Sequence, residues 1–373
     1  MKKLSLTVFL GIFLLILIGL YLVMSASSTY SASKFANQFY LFNSHLMKAG
    51  FAVAVIIVFS FIPYEIYKGQ SKTILTVVVT LLVLTLIIST QVKGVKRWLD
   101  LGFINFQPAE FAKIALFMHL AAMVADKEEL LRDFRRGFVP ALFWVMITSV
   151  LIMAQPNISN GMILILISFM ILFLAGAKLT HLIGTLGISA VITGGLAMLF
   201  THSRERIITF INSLQTGEHI NEQVKQAILG LGSGGLYGVG IGHSSQRNLF
   251  LPEAYGDFIF AILGEETGFI GSVGVLSIYI GLFVCAVIIS KNAKDKFGQL
   301  LGISISLMFI TYALINAAVA SGILPTTGLP LPFISYGGTS LTILAASIGM
   351  LINIGLTRAK EIESESEKIE ATA

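Results

Sequence analysis

Ten apolar runs of membrane-spanning length constrain this chain before any single residue is considered. They fall at about 6–25, 47–63, 73–90, 108–125, 138–154, 161–176, 181–200, 268–290, 299–319 and 338–356. A hydrocarbon layer about 30 Å thick takes roughly 20 consecutive apolar residues of helix. Each run is therefore expected to be a transmembrane helix. Only 12% of the 373 residues are charged, about half the share in soluble domains, so a soluble protein with an outsized core is set aside. The expected fold class is an all-α polytopic membrane protein. The short run 258–263 cannot span and reads as a re-entrant or capping helix.

The connections give the orientation. Lys2, Lys3, Lys68, Lys72, Lys127, Arg132, Arg135, Arg136, Lys178, Lys291, Lys294, Lys296, Arg358 and Lys360 share one side. The positive-inside rule makes that side the cytoplasm, and ten spans bring both termini there. The segment 6–24 resembles a signal peptide, but its apolar core is too long and 26–28 is a weak cleavage site, so it reads as a retained first helix. Residues 1–360 form one integral membrane domain. Residues 201–257 are a large extracytoplasmic loop within it, and 361–373 are a solvated acidic tail. The other outer connections are about 26–46, 91–107 and 320–337. A single cysteine, Cys285, lies inside an apolar run as core filler and excludes a disulfide framework.

Polar groups at the outer edge carry the chemistry. LPEAYGDFIF places Glu253 and Asp257 four positions apart at the mouth of an apolar run. An aspartate at the centre of an inserted helix costs roughly 2.5–3.5 kcal/mol, so such a group is kept where it lines a cavity, pairs or performs chemistry. Glu265 and Glu266 lie deeper and read as structural pairs. The outer side is also basic: Lys93, Lys96, Arg97, Arg204, Arg206, Lys225 and Arg247. That pattern suits a lipid phosphate or pyrophosphate, or simple headgroup contact. Pro108 marks a helix start, which puts Glu110 and Lys113 three apart on one face. They are either a buried packing pair or the lining of an outer cavity. The glycine-rich run 230–248 is either a phosphate-binding nest or a close helix crossing. It lacks the ending of a nucleotide P-loop. In PTTGLPLPFISYGGTS, 325–340, prolines break the backbone, which is tolerated at membrane depth only inside protein or along a cavity. The histidines show no metal-ligand spacing.

KRWLDLGFINFQPAEFAK, LPEAYGDFIFAILGEETG and PTTGLPLPFISYGGTSL, with the long outer loop, resemble the SEDS family of shape, elongation, division and sporulation proteins. The resemblance runs from the first helix to the last. It implies ten helices with the long loop between helices 7 and 8. It also implies a peptidoglycan glycosyltransferase that polymerises lipid II on the outer face of the cytoplasmic membrane. Val239 and Ser244-Ser245-Gln246 resemble the cell-division branch more than the elongation branch. The family's catalytic aspartate matches Asp257. Glu253 matches the acidic residue of the same motif, and Arg97, Glu110 and Lys113 match polar positions at the fourth helix. Arg247, Ser335, Gly337 and Gly338 complete the expected substrate-binding set. The chain departs from the family at Tyr255-Gly256, where His-Thr is usual. It departs again at Asn157, where Gln-Pro-Asp is usual and Ile158-Ser159-Asn160 follows. The loss of a carboxylate at Asn157 counts against that position holding Mg²⁺ or Mn²⁺, the one cofactor left open.

The resemblance implies a single inverting displacement. The acceptor 4-hydroxyl attacks the donor's anomeric carbon, Asp257 takes its proton as general base, and undecaprenyl pyrophosphate leaves towards Arg97, Lys113 and Arg247. The implied partners are lipid II, a class B penicillin-binding transpeptidase, other divisome proteins and membrane lipid, with no nucleic acid. The implied location is the division septum. A lipid II flippase, an elongation-type polymerase and a non-enzymatic divisome scaffold remain the competing readings. Lipid II scrambling without polymerisation marks the flippase, and division supported by Asp257 variants marks the scaffold.

Overall fold

The computed structural model describes residues 1–89, 97–100, 105–126, 128–216, 221–247, 251 and 254–372. Its helices are α1 (Lys2–Phe35), α2 (Tyr40–Phe61), α3 (Glu65–Ile88), α4 (Pro108–Asp126), α5 (Val139–Ala154), α6 (Ile158–Leu174), α7 (Leu179–Leu199), α8 (Thr201–Thr216), α9 (Glu222–Ser233), α10 (Ile259–Lys291), α11 (Lys296–Ala320) and α12 (Thr339–Thr372). Nine helical stretches among the described residues are long and apolar enough to cross a membrane, and α6, with 17 residues, is a shorter apolar tenth. The ten apolar runs and these ten helices correspond one to one. Helices α8 and α9 are amphipathic and lie in the long connection, which is therefore largely structured. A short antiparallel pair, β1 (Leu99–Asp100) with β2 (Asn105–Phe106), sets Leu99 opposite Phe106 before α4 begins at Pro108.

Helix α4 is the centre of the bundle. It is buried on nearly every side from Pro108 to Ala122 and packs against α3, α5, α6, α11 and α12. Its alanines at 109, 112, 115, 121 and 122 let neighbouring backbones approach closely. Helices α2, α3 and α7 bury only one face and turn the other outward.

The two chain ends meet on one side, where Lys2 Nζ lies 2.7 Å from Glu363 Oε1. Lys294 and Arg358 reach Glu361 from the same side. The acidic tail expected to follow the last span is the exposed continuation of α12.

Helix α10 is broken at Gly268 (φ 69°). Before the break, 259–266 are wholly buried, so the run 258–263 forms a short helix packed inside protein, ahead of the spanning part. The break exposes backbone groups, and the glycine-rich segment satisfies them. Val239 N and Gly240 N donate to the carbonyls of Glu265 and Glu266, and Phe269 N and Ile270 N donate to those of Gly235 and Leu236. A Cβ on Gly238 would lie 2.1 Å from Glu266 O. Of the two readings of this run, the close crossing is the one observed. The N–H groups of Val239 and Gly240 that a phosphate nest would use are committed to α10, which corrects the nest reading.

Candidate functional site

The turn 254–258 enters α10, and the Pro/Gly segment joins α11 to α12. They are clamped together at three successive carbonyls. Tyr336 N donates to Tyr255 O (2.9 Å), Ser335 Oγ to Gly256 O (2.7 Å) and Asn316 Nδ2 to Asp257 O (2.8 Å). Asn316, on α11 and 1% exposed, also donates to Leu329 O at 2.7 Å. Lys48 on α2 braces the clamp from behind, donating to Tyr336 Oη at 2.8 Å and lying 4.1 Å from the ring centroid. The half-buried Asp257 is thus carried on backbone with little freedom. Its Oδ2 would lie 3.6 Å from a Cβ on Gly328, whose φ of +71° disfavours one.

Two arginines lie near enough to this carboxylate for its charge to act on theirs. Burial and the adjacent Arg206 guanidinium lower the pKa of Arg97 to about 10, with Asp257 acting in the opposite direction. Burial likewise lowers that of Arg206, again opposed by Asp257. Both stay protonated near neutral pH. Arg97 Nε donates to Gln155 O (3.1 Å) and its Nη2 to Pro156 O, while Arg206 Nη1 donates to Thr326 O (3.2 Å). They line a cavity of about 400 Å³ whose remaining wall is largely apolar, with Met162, Ile163, Leu166, Ile207 and Ile315. Two like charges held together in a half-apolar cavity favour an anion carrying an apolar chain.

Asn157 lines the same cavity, and a polar chain from α4 fixes its orientation. Lys113 can only donate. Its Nζ donates to Glu110 Oε2 (2.8 Å), Tyr312 Oη (2.7 Å) and Asn160 Oδ1 (3.3 Å). Tyr312 Oη donates to the same Oδ1 (2.8 Å). Asn160 must then turn its Nδ2 to Asn157 Oδ1, 2.9 Å away. What Asn157 has left is its buried Nδ2, which finds no acceptor among the described residues.

The expected site residues therefore separate. Arg97 and Asp257 come together. Glu110 and Lys113 form the expected pair, but Lys113 is 3% exposed and its three protons are taken, so as it stands it cannot hold a pyrophosphate. Both line a different cavity of about 40 Å³ with Ser335. Ser335 spends its hydroxyl between Gly256 O and Leu331 N. Arg247 lines neither cavity; it sits beside Tyr21, whose hydroxyl bonds Glu266. Gly337 and Gly338 precede α12, and Lys48 approaches Gly338. Glu253, Lys93 and Lys96 lie outside the described residues. Glu265 and Glu266, each 1% exposed, are structural anchors: Glu265 accepts from Ser244 Oγ, Ser245 N and Gln246 N, and Glu266 from Tyr21 and Ser25.

Arg206, Asn160 and Asn316 were not legible as site residues. Arg206 was one basic residue among several. The asparagines carry no charge, so the cost argument that singles out Asp257 passes over them, although an amide inside an apolar run is the same signal in weaker form.

The FtsW/RodA/SpoVE family, described as cell cycle protein, matches residues 5–360. Stage V sporulation protein E of Bacillus subtilis (strain 168) is 35% identical over 345 residues, 91% of this chain and 94% of that one. The probable peptidoglycan glycosyltransferase FtsW of Trichlorobacter lovleyi is 36% identical over 338 residues, 90% of this chain and 89% of that one. A chain from a peptidoglycan synthase complex, solved in a study of how polymerisation and crosslinking are coordinated, shares the fold with a TM-score of 0.74. It is 21% identical, covering 93% of this chain and 97% of that one.

Proposed function

We propose a function from one premise: the chain belongs to the FtsW/RodA/SpoVE family of cell cycle proteins. It is a peptidoglycan glycosyltransferase that polymerises lipid II, with undecaprenyl pyrophosphate as leaving group. Relatives named probable peptidoglycan glycosyltransferase support the activity. The observation in this molecule that carries it is the opposition of Asp257 to Arg97 and Arg206 beside an apolar-walled cavity.

Asp257 acts as general base on the acceptor's 4-hydroxyl, a role worth typically about 10²–10⁴-fold. The hydroxyl oxygen forms the new bond to the donor's anomeric carbon as the bond to pyrophosphate breaks. A single displacement inverts that carbon and needs no covalent glycosyl-enzyme. Arg97 and Arg206 stabilise the charge that develops on the departing pyrophosphate. The apolar wall holds the first part of the prenyl chain. Two guanidiniums around a single carboxylate suit an anion and repel Mg²⁺ or Mn²⁺, so no step is assigned to a cation.

Both termini are cytoplasmic and Asp257 faces outward, which agrees with the basic connections on the side of the chain ends. Relatives named FtsW support a role in septal synthesis. A class B penicillin-binding transpeptidase is the partner that cross-links the product, consistent with the fold shared with a synthase complex. Purified protein supplied with lipid II, with and without that transpeptidase, tests the chemistry. The parent makes glycan chains and Asp257→Asn makes none while remaining folded. Polymerisation by Asp257→Asn at the parent rate removes the base assignment. Rescue of a division-defective strain, against an elongation-defective one, tests the septal role.

A further inference from the structure

A second cavity, about 150 Å³, lies against the first and shares with it Arg206, Leu324, Pro325 and Thr326. Its other walls come from α8, α9 and the turn after α11. Helix α8 stands off the bundle. Its inward stripe of Ser203, Arg206, Ile207, Phe210 and Ser213 is half-buried, whereas Arg204, Glu205, Ile208, Ile211 and Asn212 are exposed. Only Ile207 of that stripe packs against the core. The helix lines the first cavity at Ser203, Arg206 and Ile207 and the second at Arg206, Thr209, Phe210 and Ser213.

The two cavities differ in chemistry on either side of Arg206. The wall of the first is largely apolar around its arginines, with Asn157, Ser159, Ser203 and Thr327 as further polar residues. To the shared Thr326 the second adds the hydroxyls of Thr209 and Ser213, the amide of Asn221 and the ring of Phe210. Asn221 uses its Oδ1 to cap α9, accepting from Gln223 N at 2.9 Å, so what it can offer a ligand is its NH₂. Ser213 donates to Phe210 O at 2.7 Å, so what it can offer is an acceptor oxygen. An aromatic face with alternating donors and acceptors suits a sugar ring, which presents a C–H face and a rim of hydroxyls. From the first cavity across Arg206 to the second, the order of chemistry is apolar chain, anion, then polyhydroxylated ring.

Resting on the proposed lipid II activity, we propose that this second cavity is the subsite for the sugar attached to the pyrophosphate, with Phe210 as its platform and Arg206 as the shared wall that sets the sugar's register against Asp257. The subsite discriminates glycosylated prenyl pyrophosphates from bare ones.

The test is equilibrium binding of two lipids to the full-length protein in nanodiscs: lipid II, and undecaprenyl pyrophosphate, which has the same anion and chain but no sugar. The parent binds both. Phe210→Ala weakens lipid II by about tenfold and leaves undecaprenyl pyrophosphate within about twofold, and Phe210→Trp restores lipid II. Arg206→Gln weakens both lipids. Equal losses for the two lipids in Phe210→Ala would mean that Phe210 only holds α8 in place, and unchanged lipid II binding would mean the ring touches no sugar; either result overturns the subsite. A parent protein that binds neither lipid overturns the underlying activity and the subsite with it.

Discussion

The side-chain amide of Asn316 donates to the backbone carbonyl of Asp257 over 2.8 Å, and the same nitrogen donates to Leu329 at 2.7 Å. One buried amide thus fixes the turn that carries the carboxylate to the proline-rich segment that faces it. A buried polar group stripped of its partner costs about 1–3 kcal/mol, and Asn316→Leu strips two carbonyls at once. The expected result is a folded protein of lower thermal stability whose kcat for glycan synthesis falls by about tenfold or more, with KM for lipid II little changed. A fall in KM affinity with kcat intact would place Asn316 in binding instead.

Burial, and after it repulsion from Arg206, depresses the pKa of Arg97. A pyrophosphate-bearing lipid relieves that repulsion, so undecaprenyl pyrophosphate should raise the melting temperature of the parent and do so less in Arg97→Gln or Arg206→Gln. The sign of the pH dependence follows. A cation whose folded pKa is depressed makes a constant unfavourable contribution while both states stay protonated, and that cost is relieved only as pH rises through about 10. The arginine contribution to lipid-induced stabilisation is therefore flat between about pH 6 and pH 9. A steep loss over that range, read by thermal shift, would exclude this account.

Glu110 and Lys113 are buried as a pair, with Lys113 also tied to Tyr312 and Asn160. Removing one partner leaves a buried charge uncompensated, typically about 3–5 kcal/mol. Lys113→Met and Glu110→Gln should each destabilise more than the double variant. Thermal melts of the three proteins check this expectation.

Gly238 has φ +82°, and a Cβ there would lie 2.1 Å from Glu266 O. Gly238→Ala should open the junction between the glycine-rich segment and the kink of α10 and release backbone groups paired at that depth. The expected outcome is poor accumulation of folded protein. Gly232, where a Cβ meets nothing within 4 Å, should accept alanine and serves as the control in a fluorescence size-exclusion assay.

The sequence by itself determined the ten helices, because a run of apolar residues in lipid has one stable way to satisfy its backbone, and that argument needs no tertiary contact. It also singled out Asp257 and the Glu110–Lys113 pair, since charge in such runs is costly and spacing of three places two side chains on one helix face. Only the tertiary structure decided how these residues are used. Lys113 was as plausible a pyrophosphate ligand as Arg97 until Tyr312 and Asn160, 199 and 47 positions away, were seen to take its remaining protons. Arg206 became a site residue only when α8 brought it beside Arg97. The glycine-rich run was free to cradle a phosphate until its N–H groups were found on the carbonyls of Glu265 and Glu266. Burial cost is a property of one residue and its neighbours along the chain. Hydrogen-bond saturation and the grouping of like charges depend on which distant segments fold against one another.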